Sequence, residues 1–216
     1  MALWPSSCHN QSISFIAKKT IGQRTNPLWC IVRKHRITAS NFGAVLGCIR
    51  RNRYPPSLMK RLLSAYNLEA VKSVAWGIWL HESGVLGASP DGLVKTTFMM
   101  PVIYQSSEAR HLTPDIIEVK CPYAARTVGI ETGVDTVKGF CLVRGEDACL
   151  HLSESHEYYH QIQGQLYILG KDCCDLLVWT PIDMVVIRIA KDPSWAPNMI
   201  ILIDFFHNQF LKSILS

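Results

Sequence analysis

Two acids and a lysine lie inside short apolar segments, and this feature most restricts how the chain folds. Asp91 belongs to the segment LGASPDGLV, while Glu118 and Lys120 belong to DIIEVKCPY. A charge within an apolar strand costs free energy unless it is paired, binds a metal or lies at the rim. Side chains two apart share one face of a strand. We therefore expect DIIEVK to be a central strand with Glu118 and Lys120 on one face and Val119 pointing into the core.

These residues suit metal-dependent phosphodiester chemistry. Two carboxylates, with the carbonyl of Val119 as a further ligand, offer the hard oxygens that Mg²⁺ or Mn²⁺ prefers. The ion would polarise the phosphodiester and activate a water. Lys120 would orient the attacking hydroxide or stabilise charge on the phosphate. The residues alone leave a plainer interpretation open, in which Glu118 and Lys120 form an edge ion pair and Asp91 is a turn residue of SPDG.

Composition narrows the class of protein. With 216 residues, 48% hydrophobic and 18% charged, the chain is long and apolar enough for one compact domain and is not disordered. The net charge of +5 permits an anionic partner such as nucleic acid. The eight cysteines include no C-x-x-C pair, which disfavours a zinc ribbon.

The sequence predicts an intracellular protein with reduced thiols. Its N-terminal residues lack the basic start and apolar run of a signal peptide, and no apolar stretch reaches the length of a membrane span. A nuclear location is compatible with the sequence, which carries no signal for it.

The order of predicted elements indicates an α/β fold with a mixed sheet. Residues 1–27 are expected to be a loosely ordered lead-in, and residues 28–216 to form the domain. The predicted elements, in chain order, are a helix capped by Thr38 or Ser40, a helix from Ser57 to Val71, a hairpin over 77–94, strands FMMPVIY and DIIEVK, a helix capped by Ser153 or Ser155 and ended by Gly170, strands CDLLVWTP and DMVVIRIA, and a closing helix from Ala196.

Four motifs occur together in one order: RKHRITASNFGAVLG, GASPDGLV, IEVKCPY and YYHQIQGQLYILG. In this order they resemble the YqaJ viral recombinase family, which is lambda-exonuclease-like and part of the PD-(D/E)XK nuclease superfamily. The resemblance runs from about Thr20 to the C-terminal helix. It implies a restriction-endonuclease-like core, a mixed β-sheet flanked by helices. It also implies a Mg²⁺-dependent deoxyribonuclease acting on duplex DNA ends in recombination or repair.

The resemblance assigns roles residue by residue. Asp91 and Glu118 match the metal-binding acids, Lys120 the catalytic lysine, and Gln161 a residue that reaches the active site. Because Gln161 and Gln163 are two apart on a helix, they are expected on different faces.

The same resemblance predicts a site for the phosphate of the DNA end. Arg33 and Ser40 match positions that hold a 5′-phosphate. Arg36 and Thr38, beside the same predicted helix start, complete the predicted phosphate-binding group.

The chain departs from the family pattern before the SPDG hairpin. Trp76-Gly77 runs directly into the hairpin, so a helix that carries a further acid is missing, and Glu82 is expected to be exposed in a turn. This leaves two alternatives to an active nuclease: a catalytically impaired DNA-end-binding module of viral or mobile-element origin, and a protein-interaction remnant. The resemblance also admits a homo-oligomer, which no feature of the sequence specifies.

Overall fold

The computed structural model describes residues 6–22, 26–33, 35–64, 77–94 and 101–215. Internal contacts divide the chain into two compact units. The terminal unit comprises Met1–Ser89 with Ser194–Ser216, and the central unit comprises Pro90–Pro193. Across these ranges no helix has both the length and the apolar character needed to cross a membrane.

Helices and strands occur in short runs along the described chain. The helices are α1 (Ser6–Lys19), α2 (Pro27–Arg33), α3 (Phe42–Arg50), α4 (Pro56–Ser64), α5 (Gly129–Thr136), α6 (Glu157–Leu169), α7 (Pro197–Phe205) and α8 (Leu211–Leu215). The strands are β1 (Ile37–Thr38), β2 (Trp79–Leu80), β3 (Leu86–Ala88), β4 (Gly92–Leu93), β5 (Ile103–Tyr104), β6 (Ile116–Lys120), β7 (Leu142–Arg144), β8 (Leu150–Leu152), β9 (Cys173–Trp179) and β10 (Met184–Ala190).

The terminal unit contains a small sheet in the order β1-β3-β2. Strand β3 pairs antiparallel with β2, which confirms the predicted hairpin as far as Ala88, and parallel with β1. The end of the predicted hairpin is wrong, because Gly92–Leu93 forms β4 in a different sheet. Helix α4 begins close to the predicted start, at Pro56. The rest of that predicted helix, from residue 65, lies outside the described residues.

Helix α1 lies inside the segment expected to be a loosely ordered lead-in. Ala17 and Thr20, at its end, are buried. The backbone N–H of Ile78 donates to Thr20 Oγ1 at 2.9 Å, and a Cβ at Gly77 would lie only 1.7 Å from the Ala17 carbonyl oxygen. The end of α1 is therefore ordered against the start of β2. The local composition does not reveal this order, because it depends on a contact with a segment 58 positions away.

The predicted helix caps at Thr38 and Ser40 are wrong. A 3₁₀ turn over Ala39–Asn41 precedes α3, and neither Thr38 nor Asn41 makes a side-chain cap hydrogen bond. Thr38 Oγ1 instead accepts a hydrogen bond from Arg33 Nη2 at 3.1 Å.

The core of the terminal unit includes contacts between α3 and the C-terminal helices. Phe42 of α3 stacks on Trp195 with ring centroids 6.3 Å apart. The predicted closing helix is not continuous, because a π-helical turn at Phe206–Phe210 separates α7 from α8. Both terminal phenylalanines of this turn are buried, so the irregular turn serves packing.

The central unit is built on a five-stranded mixed sheet in the order β4-β6-β9-β10-β5. Strand β6 is parallel to β9 and antiparallel to β4, which confirms its prediction as a central strand. Strands β9 and β10 form an antiparallel pair and confirm the predicted strands CDLLVWTP and DMVVIRIA. Strand β5 is the end of the predicted strand FMMPVIY, whose residues 98–100 lie outside the described residues.

Helix α6 packs on β9 and carries the side chains that face β6. Its N-cap is His156, whose Nδ1 accepts from Tyr158 N at 3.1 Å, so the predicted caps Ser153 and Ser155 are wrong. Gly170 ends the helix as predicted, with a φ of 62° that glycine adopts without a steric cost.

A two-stranded sheet of β7 and β8 completes the central unit, together with α5. Both carboxylate oxygens of Asp183 accept from Ile130 N, at 3.0 and 2.8 Å, so the turn after β9 holds the first turn of α5. The described chain is of the predicted α/β class, with a mixed sheet and helices packed on it.

Candidate active site

Glu118 is buried in the five-stranded sheet, with 2% of its surface exposed. Its Oε1 accepts from Lys120 Nζ at 2.6 Å and from Gln161 Nε2 at 2.5 Å. Its Oε2 accepts from Gln165 Nε2 at 2.8 Å. Buried charge is tolerated only when hydrogen-bonded, and these three donors meet that requirement.

Lys120 lies on the same face of β6 as Glu118, as the strand periodicity predicts. Its ammonium is 3.1 Å from Gln161 Oε1 and 4.7 Å from the ring centroid of Tyr158. A carboxylate, an amide and an aromatic face thus hold one cation. The ion pair of the plainer interpretation is present, but it is extended by two side chains of α6.

Asp91 lies next to this cluster at the start of β4. The register pairs Gly92 with Ile117, and its continuation by one residue puts Asp91 opposite Glu118. Asp91 Oδ2 accepts from Val119 N at 2.8 Å. Val119 itself is 36% exposed, so the prediction that it points into the core is wrong: its face of β6 is partly open.

Burial of Glu118 and the neighbouring charge of Asp91 both oppose a negative charge on Glu118. Burial raises the pKa of Glu118, the Lys120 ammonium lowers it, and the charge of Asp91 raises it again, with a net upward direction. A cation bound by Asp91 and Glu118 would offset part of the repulsion between the two carboxylates.

The donor set fits one Mg²⁺ ion. Mg²⁺ is commonly held by one or two carboxylates, with waters and substrate phosphates as the other ligands, and Asp91 and Glu118 supply two. Within the part of the chain that the structure describes, no group of three or more His, Cys, Asp or Glu side chains is arranged to hold a metal. Glu82 is exposed in the turn between β2 and β3, as predicted, so no described third acid supports a second ion.

Three glutamines of α6 divide between two faces of the helix. Gln161 and Gln165, one turn apart, both reach Glu118. Gln163 instead bonds the carbonyl of Ala190 at 3.0 Å and the N–H of Asp192 at 2.9 Å. The predicted separation of Gln161 and Gln163 is confirmed. Gln165 was missed, although its i, i+4 spacing from Gln161 was the available signal.

The predicted phosphate-binding residues belong to the terminal unit, and three of them are in contact. Arg33 Nη2 donates to Thr38 Oγ1, and Thr38 Oγ1 lies 3.2 Å from Ser40 Oγ. Arg36 differs, because its Nε donates to the Gly84 carbonyl at 2.7 Å. Arg36 therefore braces the turn of the hairpin, a contact that its predicted role did not include.

A second arginine, missed in the sequence, joins this group. Arg61 of α4 donates from Nε to Asn41 Oδ1 at 3.0 Å and from Nη2 to the Ser40 carbonyl at 3.5 Å. The Arg33 guanidinium lies 4.1 Å from the centroid of the Trp29 ring. Two guanidinium groups near two hydroxyls are a donor set that suits an oxyanion.

Comparison with solved structures identifies the fold. The chain is similar to LHK-Exo, an alkaline exonuclease from Laribacter hongkongensis: its crystal structure in complex with dAMP matches with a TM-score of 0.50 and 20% sequence identity, over 86% of this chain and 93% of the exonuclease. A further crystal structure of LHK-Exo matches with a TM-score of 0.45 at the same identity and coverage. Neither protein-family models nor curated proteins match the chain. This α/β chain therefore has the restriction-endonuclease-like fold of an alkaline exonuclease.

Proposed function

We propose that the chain is a Mg²⁺-dependent nuclease that hydrolyses phosphodiester bonds at DNA ends, with Mn²⁺ as an alternative ion. One observation carries the proposal: Lys120 and Gln161 converge on the buried Glu118, directly beside Asp91. Burying such a cluster costs desolvation free energy, so it contributes little to the stability of a sheet. Buried charges with perturbed pKa values are typical of catalytic sites.

Each member has a role in this proposal. Asp91 and Glu118 would hold the ion, which would supply polarisation of the phosphodiester and activation of a water. Lys120 donates a hydrogen bond to the attacking water or to the charge that develops on the phosphate. Gln161 donates to Glu118 through Nε2 and accepts from Lys120 through Oε1, so one amide orients both the acid and the lysine.

The substrate follows from the phosphate-binding group and from the fold. Arg33, Thr38 and Ser40, with Arg61, are proposed to hold the terminal 5′-phosphate of DNA, with Arg36 supporting the neighbouring turn. The structurally similar LHK-Exo is an exonuclease with a crystal structure in complex with dAMP. We extend that substrate class to this chain and place its action in recombination or repair.

The test is digestion of linear duplex DNA with a 5′-phosphate in Mg²⁺. Lys120→Ala should lower the rate by about 100-fold or more, since removal of a single transition-state donor costs that much. Glu118→Gln should also lower the rate strongly, because it removes a charged ligand of the proposed ion. Glu131→Gln and Lys138→Ala, which alter exposed side chains of the same unit, are the matched controls and should digest as wild type. Cleavage that survives both active-site substitutions would contradict the proposal.

A catalytically impaired DNA-end-binding module is the second candidate. It is favoured by the finding that among the described residues no third acid joins Asp91 and Glu118. A folded wild type that leaves DNA intact in Mg²⁺ and in Mn²⁺, yet binds 5′-phosphorylated ends with an affinity that falls steeply with salt, would establish this candidate instead.

A further inference from the structure

An exposed aromatic ring stacked against a guanidinium lies on the turn that follows β6. Tyr123 is 74% exposed, and the guanidinium carbon of Arg126 is 3.6 Å from its ring centroid. We propose that Tyr123 and Arg126 form a stacking platform for a base of single-stranded DNA beside the cleavage site. This inference rests on the proposed nuclease function.

The platform is fixed before any ligand arrives. Arg126 Nη1 donates to the Tyr123 carbonyl at 2.8 Å, which holds the guanidinium over the ring. Ala125 is fully buried and lies so close to α5 that a Cβ at Gly133 would be 3.2 Å from its Cβ. Since an ordered platform loses little conformational freedom on binding, the exposed face of Tyr123 is ready to accept a flat ligand.

The position of the platform matches a nucleotide near the reacting phosphate. Tyr123 is three residues after Lys120, so their Cα atoms are at most about 11 Å apart. A strand whose phosphate contacts Lys120 is therefore proposed to place a neighbouring base on Tyr123.

The local charge favours a nucleic acid over a protein partner. The segment 119–130 contains Lys120 and Arg126 and no acid. Among the described residues the Arg126 guanidinium makes one hydrogen bond, so most of its five N–H donors are available to a phosphate. An aromatic ring beside such donors is the combination by which proteins bind single strands without reading sequence.

The experiment measures binding of the full chain to a 5′-phosphorylated thymidine oligonucleotide in EDTA, by fluorescence anisotropy. Tyr123→Ala should raise Kd about 5- to 100-fold, the usual effect of losing one base–aromatic stack, and Tyr123→Phe should bind as wild type. The matched control is Phe15→Ala, because Phe15 is 60% exposed and carries the Lys19 ammonium 5.6 Å from its ring, but it lies on α1, which contains none of the residues proposed to contact DNA.

An abasic oligonucleotide of equal length separates stacking from charge. On this probe Tyr123→Ala and wild type should bind equally, whereas Arg126→Ala should weaken binding to both probes and lower the salt slope by about 0.7.

Equal affinity of Tyr123→Ala and wild type for the thymidine probe would overturn the platform and leave a pair suited to a protein partner. If Tyr123→Ala lost the same affinity for the thymidine and the abasic oligonucleotide, the platform would be overturned as well. Metal-dependent cleavage, measured on the same preparations, shows whether the nuclease proposal stands independently. A folded wild type that neither binds nor cleaves would overturn both.

Discussion

Gln165 and Glu118 are 47 positions apart in sequence, yet Gln165 Nε2 donates to Glu118 Oε2 at 2.8 Å. Gln161 holds the other carboxylate oxygen from one turn earlier on α6. The orientation of the central acid therefore depends on two amides of one helix.

Gln165→Met keeps the volume of this side chain and removes the donor. We expect a loss of about 1–3 kcal/mol in unfolding free energy, because a buried carboxylate loses a partner, and a lower cleavage rate for the folded protein. Gln163→Met is the control, since Gln163 faces the end of β10: it should destabilise by a similar amount and leave the rate per folded molecule unchanged. Urea unfolding and cleavage rates of the two variants check this, and equal rates would contradict it.

Asp91→Asn should remove the response to metal. Mg²⁺ that binds only the folded state stabilises it by about 2.7 kcal/mol at 100 times Kd, so the Tm of the wild type should rise by several degrees. Asp91 is exposed, and its loss should leave the fold intact but abolish the Mg²⁺-dependent rise. Asp135→Asn, an exposed acid on α5, should keep it. If scanning calorimetry shows that Mg²⁺ raises the Tm of Asp91→Asn as much as that of the wild type, Asp91 is not a ligand of the ion.

Asp115 makes stability depend on pH in the acid range. Burial alone would raise the pKa of Asp115, but the N–H of Asp172, the Lys171 ammonium and the N–H of Cys173 lower it below its ordinary value. A lowered folded pKa stabilises above the unfolded pKa of about 3.9 and loses this contribution as pH falls through the folded value. Asp115→Asn should thus destabilise at pH 7 and much less at pH 2.

Urea unfolding of the wild type and of Asp115→Asn at pH 7 and at pH 2 measures this difference in stability. Lys171→Met removes the ammonium and leaves the two backbone donors, so the stability of this variant should still depend on the Asp115 carboxylate, but less than that of the wild type. A destabilisation by Asp115→Asn that is the same at both pH values would show that the carboxylate charge is not involved.

Thiol reactivity should divide the cysteines by burial. Burial raises the pKa of Cys141 to about 11 and that of Cys173 to about 12, and the thiolate is the reactive form. Cys121 and Cys149 are exposed. Native protein treated with iodoacetamide at pH 8 should be alkylated at the exposed pair, and at Cys141 and Cys173 only in urea. Peptide mass spectrometry measures this, and rapid native labelling of Cys141 would contradict it.

Gly77→Ala should be among the more destabilising single substitutions. The added Cβ would meet the Ala17 carbonyl oxygen at 1.7 Å and Thr20 Oγ1 at 2.5 Å. A backbone carbonyl group cannot move away from such a clash as easily as a flexible side chain can. Overpacking of this kind costs about 1–3 kcal/mol or more. Gly47→Ala, whose Cβ meets only the Arg51 side chain at 3.4 Å, should be neutral or stabilising in α3. Thermal unfolding distinguishes them, and similar Tm values would show that α1 is not held against Gly77.

The sequence predicted the strongly patterned elements and the identity of the central acid and lysine. Strand β6 and the β9–β10 hairpin follow from alternation and proline boundaries, and helix α6 ends at Gly170 as its αL geometry requires. The predictions of helix caps were wrong. His156 caps α6 in place of a serine, because the imidazole Nδ1 can accept a hydrogen bond as a hydroxyl oxygen does.

Contacts between distant segments were beyond prediction for a physical reason. The contact of Arg61 with Asn41 leaves no periodic trace, since it depends on how two elements pack. The i, i+4 spacing of Gln161 and Gln165 puts both amides on one helix face, but it does not show that this face reaches Glu118. The open face at Val119 depends on what covers the sheet, and alternation alone does not give that.

The three glutamines of α6 also fix how this helix can change over evolutionary time. Each residue advances a helix by about 100°, so an insertion or deletion between Gln161 and Gln165 would turn one amide away from Glu118. Gln163 holds the opposite side to Ala190 and Asp192, which prevents the helix from rotating to compensate. Length variation is therefore expected before His156 or after Gly170, whereas the five residues from Gln161 to Gln165 should behave as a segment of invariant length.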